Sequence, residues 1–167
     1  MERDSNNGGN APSQNVSQRT QNPPQNFEGY VPYAVFSNGT LTLYYGKQKP
    51  NGAYEMRTAN KNGWYSIREQ IKTVVFDESF QHYRPKTCNS LFSECENLTQ
   101  ITGLGYLNTE DVTDMSFMFS FCRKLQSLDL TRIDMSKVTD VSGMFYGSSE
   151  LTTIYCNDEP GYFTGAI

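Results

Sequence analysis

Val112–Leu130 reads VTDMSFMFSFCRKLQSLDL, and 26 residues later Val138–Cys156 reads VTDVSGMFYGSSELTTIYC. A third copy precedes them. Phe92, Phe119 and Phe145 share one column, Leu98, Leu125 and Leu151 a second, and Ile101, Leu128 and Ile154 a third. The first interval is one residue longer, and the extra residue falls near Thr102–Gly105 (TGLG). A fixed period of this size is the mark of stacked structural repeats. Within the middle copy Met115, Met118, Phe119, Cys122 and Leu125 fall at i, i+3, i+4, i+7 and i+10, the spacing of one helix face. Cys88, Leu91, Phe92, Cys95 and Leu98 repeat it in the first copy, and Val141, Met144, Phe145, Ser148 and Leu151 in the third. Thr113 or Asp114, and Thr139 or Asp140, stand where a helix N-cap belongs. After Leu125 the apolar period drops to two, at Leu128 and Leu130, which reads as a strand.

The predicted fold class is therefore α+β: a short leucine-rich-repeat-like solenoid, with one short helix and one strand per repeat, preceded by a β-rich capping region. Stacked copies would give a small parallel sheet on one side and short helices on the other. Three segments are predicted: a disordered polar tail over 1–27, a β-rich lead-in and N-terminal cap over 28–82, and the repeats with a short C-terminal cap over 83–167.

The lead-in carries its own signals. Asn38-Gly39 divides YAVFSNGTLTLYY, and Asn-Gly tolerates positive φ at both central positions of a hairpin turn. Asn51-Gly52 and Asn62-Gly63 mark two more turns. A short helix or turn is predicted around Ser66–Gln70 and a strand over Ile71–Phe76.

Composition bounds the function. The chain has 167 residues, is 37% hydrophobic and carries a net charge of −4. The apolar deficit lies at the front, where residues 1–26 hold six Asn, four Gln and only Val16 as a branched aliphatic; such a segment cannot offset its ordering entropy. Residues 88–159 carry four basic against eleven acidic side chains, the opposite of a nucleic-acid footprint. No apolar run is long enough for a membrane span. The opening MERDSNNGGN has no export-signal pattern, which leaves a cytoplasmic location as the alternative to an exported one.

Candidate chemistry is sparse. Cys95 and Cys122 share a repeat column, so buried free thiols, a disulfide and, least of all, a metal site are all open; no CxxC pair is present. His82, the single histidine, has no nucleophile partner in sequence. Glu110-Asp111, and Asp129 with Asp134, invite an acid–base or calcium role, but Asp114, Asp129, Asp134 and Asp140 recur as helix-start and turn residues. GLGYLN lacks the lysine of a phosphate loop. No catalytic residue, cofactor site or metal site is assigned. Tyr106, Phe117, Phe121 and Tyr146 lie off the buried face, where they either form a binding surface or cover the ends of the stack. PGYFTGAI, after Cys156, could fold back as a rear cap; otherwise an open end allows end-to-end self-association.

The phrases LNTEDVTDMSFMFSFCRKLQSLDL and IDMSKVTDVSGMFYGSSELTTI resemble the 26-residue repeat of BspA-type bacterial surface proteins, over roughly Trp64–Cys156. The resemblance rests on the Val-Thr-Asp-Met-Ser-x-Met-Phe core and the Leu-x-x-Leu strand. It implies a non-catalytic adhesion or protein-binding module at the cell surface or secreted. The ligand it implies is a protein of a host or neighbouring cell, with a glycan as a lesser option. An intracellular scaffold or self-assembling subunit is the alternative.

Overall fold

The computed structural model describes residues 26–57 and 61–157. The polar tail, apart from Asn26 and Phe27, and the PGYFTGAI segment lie outside the described residues.

Asn38 and Gly39 have φ of 48° and 82°, the primed turn expected of Asn-Gly. They join β1 (Val31–Ser37) to β2 (Thr40–Gly46) in register from Val31↔Gly46 to Ser37↔Thr40. Asn51-Gly52 also turns, with Ala53 N–H donating to Pro50 O at 3.1 Å, and leads into β3 (Tyr54–Glu55), antiparallel to β1. Asn62-Gly63 instead starts a 3₁₀ helix over Gly63–Gln70. Asn62 is buried, and its Oδ1 accepts the Arg57 N–H at 3.0 Å. β4 (Thr73–Phe76) then pairs parallel with β2, and β5 (Gln100–Thr102) parallel with β4. The result is one mixed sheet in the order β3-β1-β2-β4-β5. β6 (Ser127–Asp129) and β7 (Thr153–Tyr155) form a separate parallel pair.

This corrects the predicted fold class. The helix-and-strand solenoid does not form: the described residues contain no α-helix, only 3₁₀ segments over Gly63–Gln70, Glu78–His82 and Leu104–Tyr106. The strands of the copies do not line up in one parallel sheet either, because β5 belongs to the lead-in's sheet and β6 and β7 stand apart. The physical reason lies in the backbone. Phe117 and Phe121 have φ of 56° and 54°, Gly143 and Gly147 of 59° and 71°, and Ser90 and Glu94 of 53° and 62°. A left-handed residue every fourth position cannot sit in an α-helix. The segment is instead a run of tight turns. Met118 N–H donates to Met115 O, Ser120 N–H to Phe117 O and Cys122 N–H to Phe119 O, at 3.1–3.3 Å. The N–H groups of Met115, Phe117, Phe119 and Phe121 point across to the next copy, onto the carbonyls of Asp140, Ser142, Met144 and Tyr146 at 2.7–3.0 Å. Turns spaced by four place apolar residues on one side as a helix would, and the cross-copy bonds satisfy the remaining peptide groups.

The anticipated N-caps are Asx turns. Asp114 and Asp140 each accept the N–H of the residue two further on, Ser116 and Ser142, at 2.8 Å. Asp129 and Asp134 do the same for Thr131 and Ser136 at 3.0 and 2.8 Å. The hydroxyl and backbone N–H bonds from Thr131 and Ser136 hold the Asp129 and Asp134 carboxyls below their ordinary values, and the backbone N–H and hydroxyl of Ser142 do the same for Asp140, because they favour the ionised form.

The core is a single apolar column. Trp64, Phe92, Phe119 and Phe145 stack with ring centroids 6.4, 5.9 and 6.1 Å apart. Trp64 Nε1 donates to Leu91 O at 3.1 Å, so the indole opens the column without leaving its polar atom unpaired.

All four cysteines are free thiols, with Cys88, Cys95 and Cys122 buried and Cys156 exposed. Burial pushes Cys88 and Cys95 up to about 12 and raises Cys122 well above its ordinary value. The thiolate is the reactive form. Iodoacetamide at pH 8 is therefore expected to modify Cys156 first, with the three buried thiols at least about 10²-fold slower until denaturant is added. Peptide mass mapping over time checks this; early labelling of Cys95 or Cys122 would contradict the packing.

Candidate functional site

The turn chemistry that replaces the helices also builds a surface. Phe117 and Phe121 occupy left-handed backbone positions, uncommon for bulky residues and worth of order 1–3 kcal/mol of strain each. Their counterparts in the third copy are Gly143 and Gly147, and the two rings lie on those glycines. A Cβ built on Gly143 would stand 2.5 Å from Phe117 Cε1, and one on Gly147 2.5 Å from Phe121 Cδ1. The missing side chains are thus the seats for the rings. Phe121 meets Tyr146 edge-to-face at 5.3 Å and 87°, and the Arg123 guanidinium lies 5.0 Å from the Phe121 centroid. Phe117 stays 45% exposed and Tyr146 54% exposed. The structure so brings Phe121 and Tyr146 into contact, with Phe117 one four-residue turn earlier on the same row of glycine seats. Tyr106 does not join them. It ends the 3₁₀ turn over Leu104–Tyr106, is half-buried, and lines a cleft between β5 and β6.

That cleft was not legible as a site. Its volume is about 440 Å³, and its walls include Ile101, Tyr106, Leu128, Asp129, Arg132 and Tyr155. Tyr155 is 57% exposed. The one sequence signal nearby is the extra residue in TGLG, where Gly103 has φ of 72° and begins the turn.

Among the described residues, Glu110 and Asp111 form no free carboxylate pair. Asp111 is only 19% exposed and holds three cations from neighbouring copies: Lys137 Nζ at 2.8 Å on Oδ1, and Lys86 Nζ at 3.0 Å and Arg84 Nε at 3.1 Å on Oδ2. Glu110 pairs with Arg84 at 2.9 Å. His82 stacks on Phe27 at 4.7 Å, beside the aromatic contacts among Phe27, Tyr30, Tyr45 and Tyr83 that cover the end of the first sheet.

Hydrogen bonds from Lys137, Lys86 and Arg84, in that order, hold the Asp111 carboxyl well below the usual carboxylate range. A depressed folded-state value stabilises the fold above the unfolded carboxyl's range, and the contribution is lost as pH falls through the folded value. Below about pH 4 the melting temperature of the native chain is therefore expected to fall more steeply than that of Asp111→Asn. Added salt should narrow the gap. Parallel slopes in a calorimetric series from pH 7 to pH 2 would show that the cluster contributes nothing.

Comparison with known proteins follows the repeat region. The family described as "Mycoplasma protein of unknown function, DUF285" matches residues 65–157. No curated protein matches the sequence. Among solved structures, the crystal structure of a leucine rich cell surface protein from Faecalibacterium prausnitzii A2-165 is similar at 15% identity and a TM-score of 0.32. The match covers 78% of this chain and spans 41% of that one.

Proposed function

The chain belongs to the DUF285 family of Mycoplasma proteins of unknown function, and on that premise we propose that it is a non-catalytic protein-binding module. The observation that supports this is the ridge of Phe117, Phe121 and Tyr146. Two of its members are 45% and 54% exposed, and two occupy strained backbone over glycine seats. Exposed aromatic rings held rigidly are the usual anchors of protein interfaces, because they bury large apolar area at little entropic cost. The ligand is a protein on a host or neighbouring cell. The module acts at the cell surface or after secretion, in keeping with the resemblance of its Val-Thr-Asp-Met-Ser-x-Met-Phe motif to bacterial surface repeats. Its mechanism is shape and aromatic contact on a rigid scaffold.

The test is affinity capture by the full chain, and by the double variant Phe117→Ser, Tyr146→Ser, from surface-biotinylated mucosal cells. The expected result is saturable enrichment of a surface protein, weakened by about 30-fold or more in the variant, the consequence of losing about 2 kcal/mol at an anchor. Neither ring belongs to the buried column, so the variant should remain folded, with a cooperative thermal melt. Equal capture by the two proteins, or enrichment only of cytosolic proteins or of the chain itself, would overturn the reading. The cytosolic or self-capture result would favour an intracellular scaffold.

A further inference from the structure

Among the described residues, hydrogen bonds join successive copies along their turns, and β6 to β7, but not β5 to β6. Between the first and second copies, Cys88 N–H donates to Asp114 O and Glu94 N–H to Ser120 O, both at 2.8 Å, and Thr113 N–H to Lys86 O at 3.1 Å. Between the second and third the bonding continues through the strands, from Thr152 N–H to Gln126 O at 3.0 Å and from Leu130 N–H to Tyr155 O at 2.7 Å. Among the described residues, β5 and β6 share no ladder. Most Cα pairs between these two strands lie beyond 8 Å. Hydrogen-bonded neighbours stand about 4.8 Å apart, so β5 and β6 stand wider than a bonded pair, and the cleft of about 440 Å³ lies between them.

The walls of this gap present peptide groups. Gln126 and Leu130 bond to β7, so the alternation of a parallel ladder turns the peptide groups of Ser127 and Asp129 toward the gap. By the same alternation, β5 bonds β4 through Gln100 and Thr102 and turns the Ile101 groups toward it. Ile101 and Leu128 supply apolar surface between the edges. Arg132, three residues past the end of β6, packs its stem over Gly105. It is exposed and has no ion-pair partner among the described residues, although it stands in an acidic region.

We propose that the cleft between β5 and β6 takes an extended peptide segment of a partner protein as an added parallel strand, with an acidic residue at the strand's C-terminal end paired to Arg132. The inserted strand would bond both edges and join the two sheets into one. Its middle residue is apolar and faces Ile101 and Leu128, and its neighbours are polar and face outward. Strand addition of this kind draws affinity from main-chain bonds and selectivity from alternate side chains. Two facing edges satisfy both sides of the guest, where an ordinary sheet edge satisfies one. A glycan has no row of alternating donors and acceptors to match them.

The probe is fluorescein-labelled TQITE amide, the sequence of Thr99–Thr102 followed by glutamate, titrated with the full chain by anisotropy. The expected result is saturable binding that falls by about 10-fold or more when the isoleucine nitrogen of the probe is methylated, since this removes a main-chain donor and keeps every side chain. Arg132→Glu is expected to weaken TQITE by about 10-fold and to prefer the TQITK peptide, a charge swap that a folding defect would not produce. No saturation by about 1 mM peptide, or binding indifferent to N-methylation, overturns the proposal; the latter outcome would mark a site that reads side chains or a glycan. The cleft stands apart from the aromatic ridge. Capture by Phe117 and Tyr146 and titration at Arg132 interrogate different surfaces, so the failure of one is distinguishable from failure of the other.

Discussion

Phe119→Ala is expected to destabilise the fold by about 3–5 kcal/mol, the range for truncating a buried phenylalanine. Phe119 is fully buried and stands inside the column, with Phe92 on one side and Phe145 on the other. Its removal deletes both ring contacts and leaves a void that the flanking copies cannot close, because cross-copy hydrogen bonds on either side fix their spacing. Phe145→Ala is expected to cost less, about 2–3 kcal/mol, since that ring retains 8% exposure and its removal leaves Phe119 still stacked on Phe92. Urea unfolding of the two variants checks the order, with the slope unchanged if the transition stays two-state. A loss below about 1.5 kcal/mol for Phe119→Ala, or a larger loss for Phe145→Ala, would show that the column is not the principal support of the repeats.

Gly103→Ala is expected to be about as damaging, for a different reason. Gly103 has φ of 72°, and an added Cβ would lie 2.5 Å from the Phe76 carbonyl oxygen and 3.2 Å from Tyr106 Cδ2. Phe76 ends β4, whose pairing with β5 fixes that carbonyl. Relief of the clash therefore requires the two strands to part. Gly52→Ala separates the contributions. Gly52 has φ of 81° with nothing within 4 Å of the added carbon, so it reports the left-handed penalty alone, about 1 kcal/mol. Gly103→Ala should lose at least about 3 kcal/mol, the backbone collision adding to that penalty. Thermal melts of the two variants side by side give the comparison; equal shifts would mean that the Phe76 carbonyl yields freely.

The parts of this fold were written in the chain in different ways. The Asn38-Gly39 hairpin was legible because its determinants are adjacent: two residues tolerant of positive φ between two apolar runs. The column of Phe92, Phe119 and Phe145 was legible because burial repeats with the period, and the off-core aromatics Phe117, Phe121 and Tyr146 were legible as its complement. The helices were misread. Apolar positions at i, i+3, i+4 and i+7 are shared by an α-helix and by a series of four-residue turns, and the spacing does not distinguish them. A sign was nevertheless present, because Gly143 and Gly147 stand four residues apart at the column where the second copy has Phe117 and Phe121.

By itself, then, the sequence determined the period, the inward residues, the tight hairpin and the off-core aromatics, all of which depend on neighbouring residues or on repetition. The destination of each peptide N–H was decided only in the tertiary structure, because the competing acceptors lie 26 or 27 residues away and exist only once a second copy is in place. That choice turned helices into turns and seated Phe117 and Phe121 on glycines. It also left β5 and β6 unzipped, with Arg132 and Tyr155 brought to a cleft that no local pattern announces.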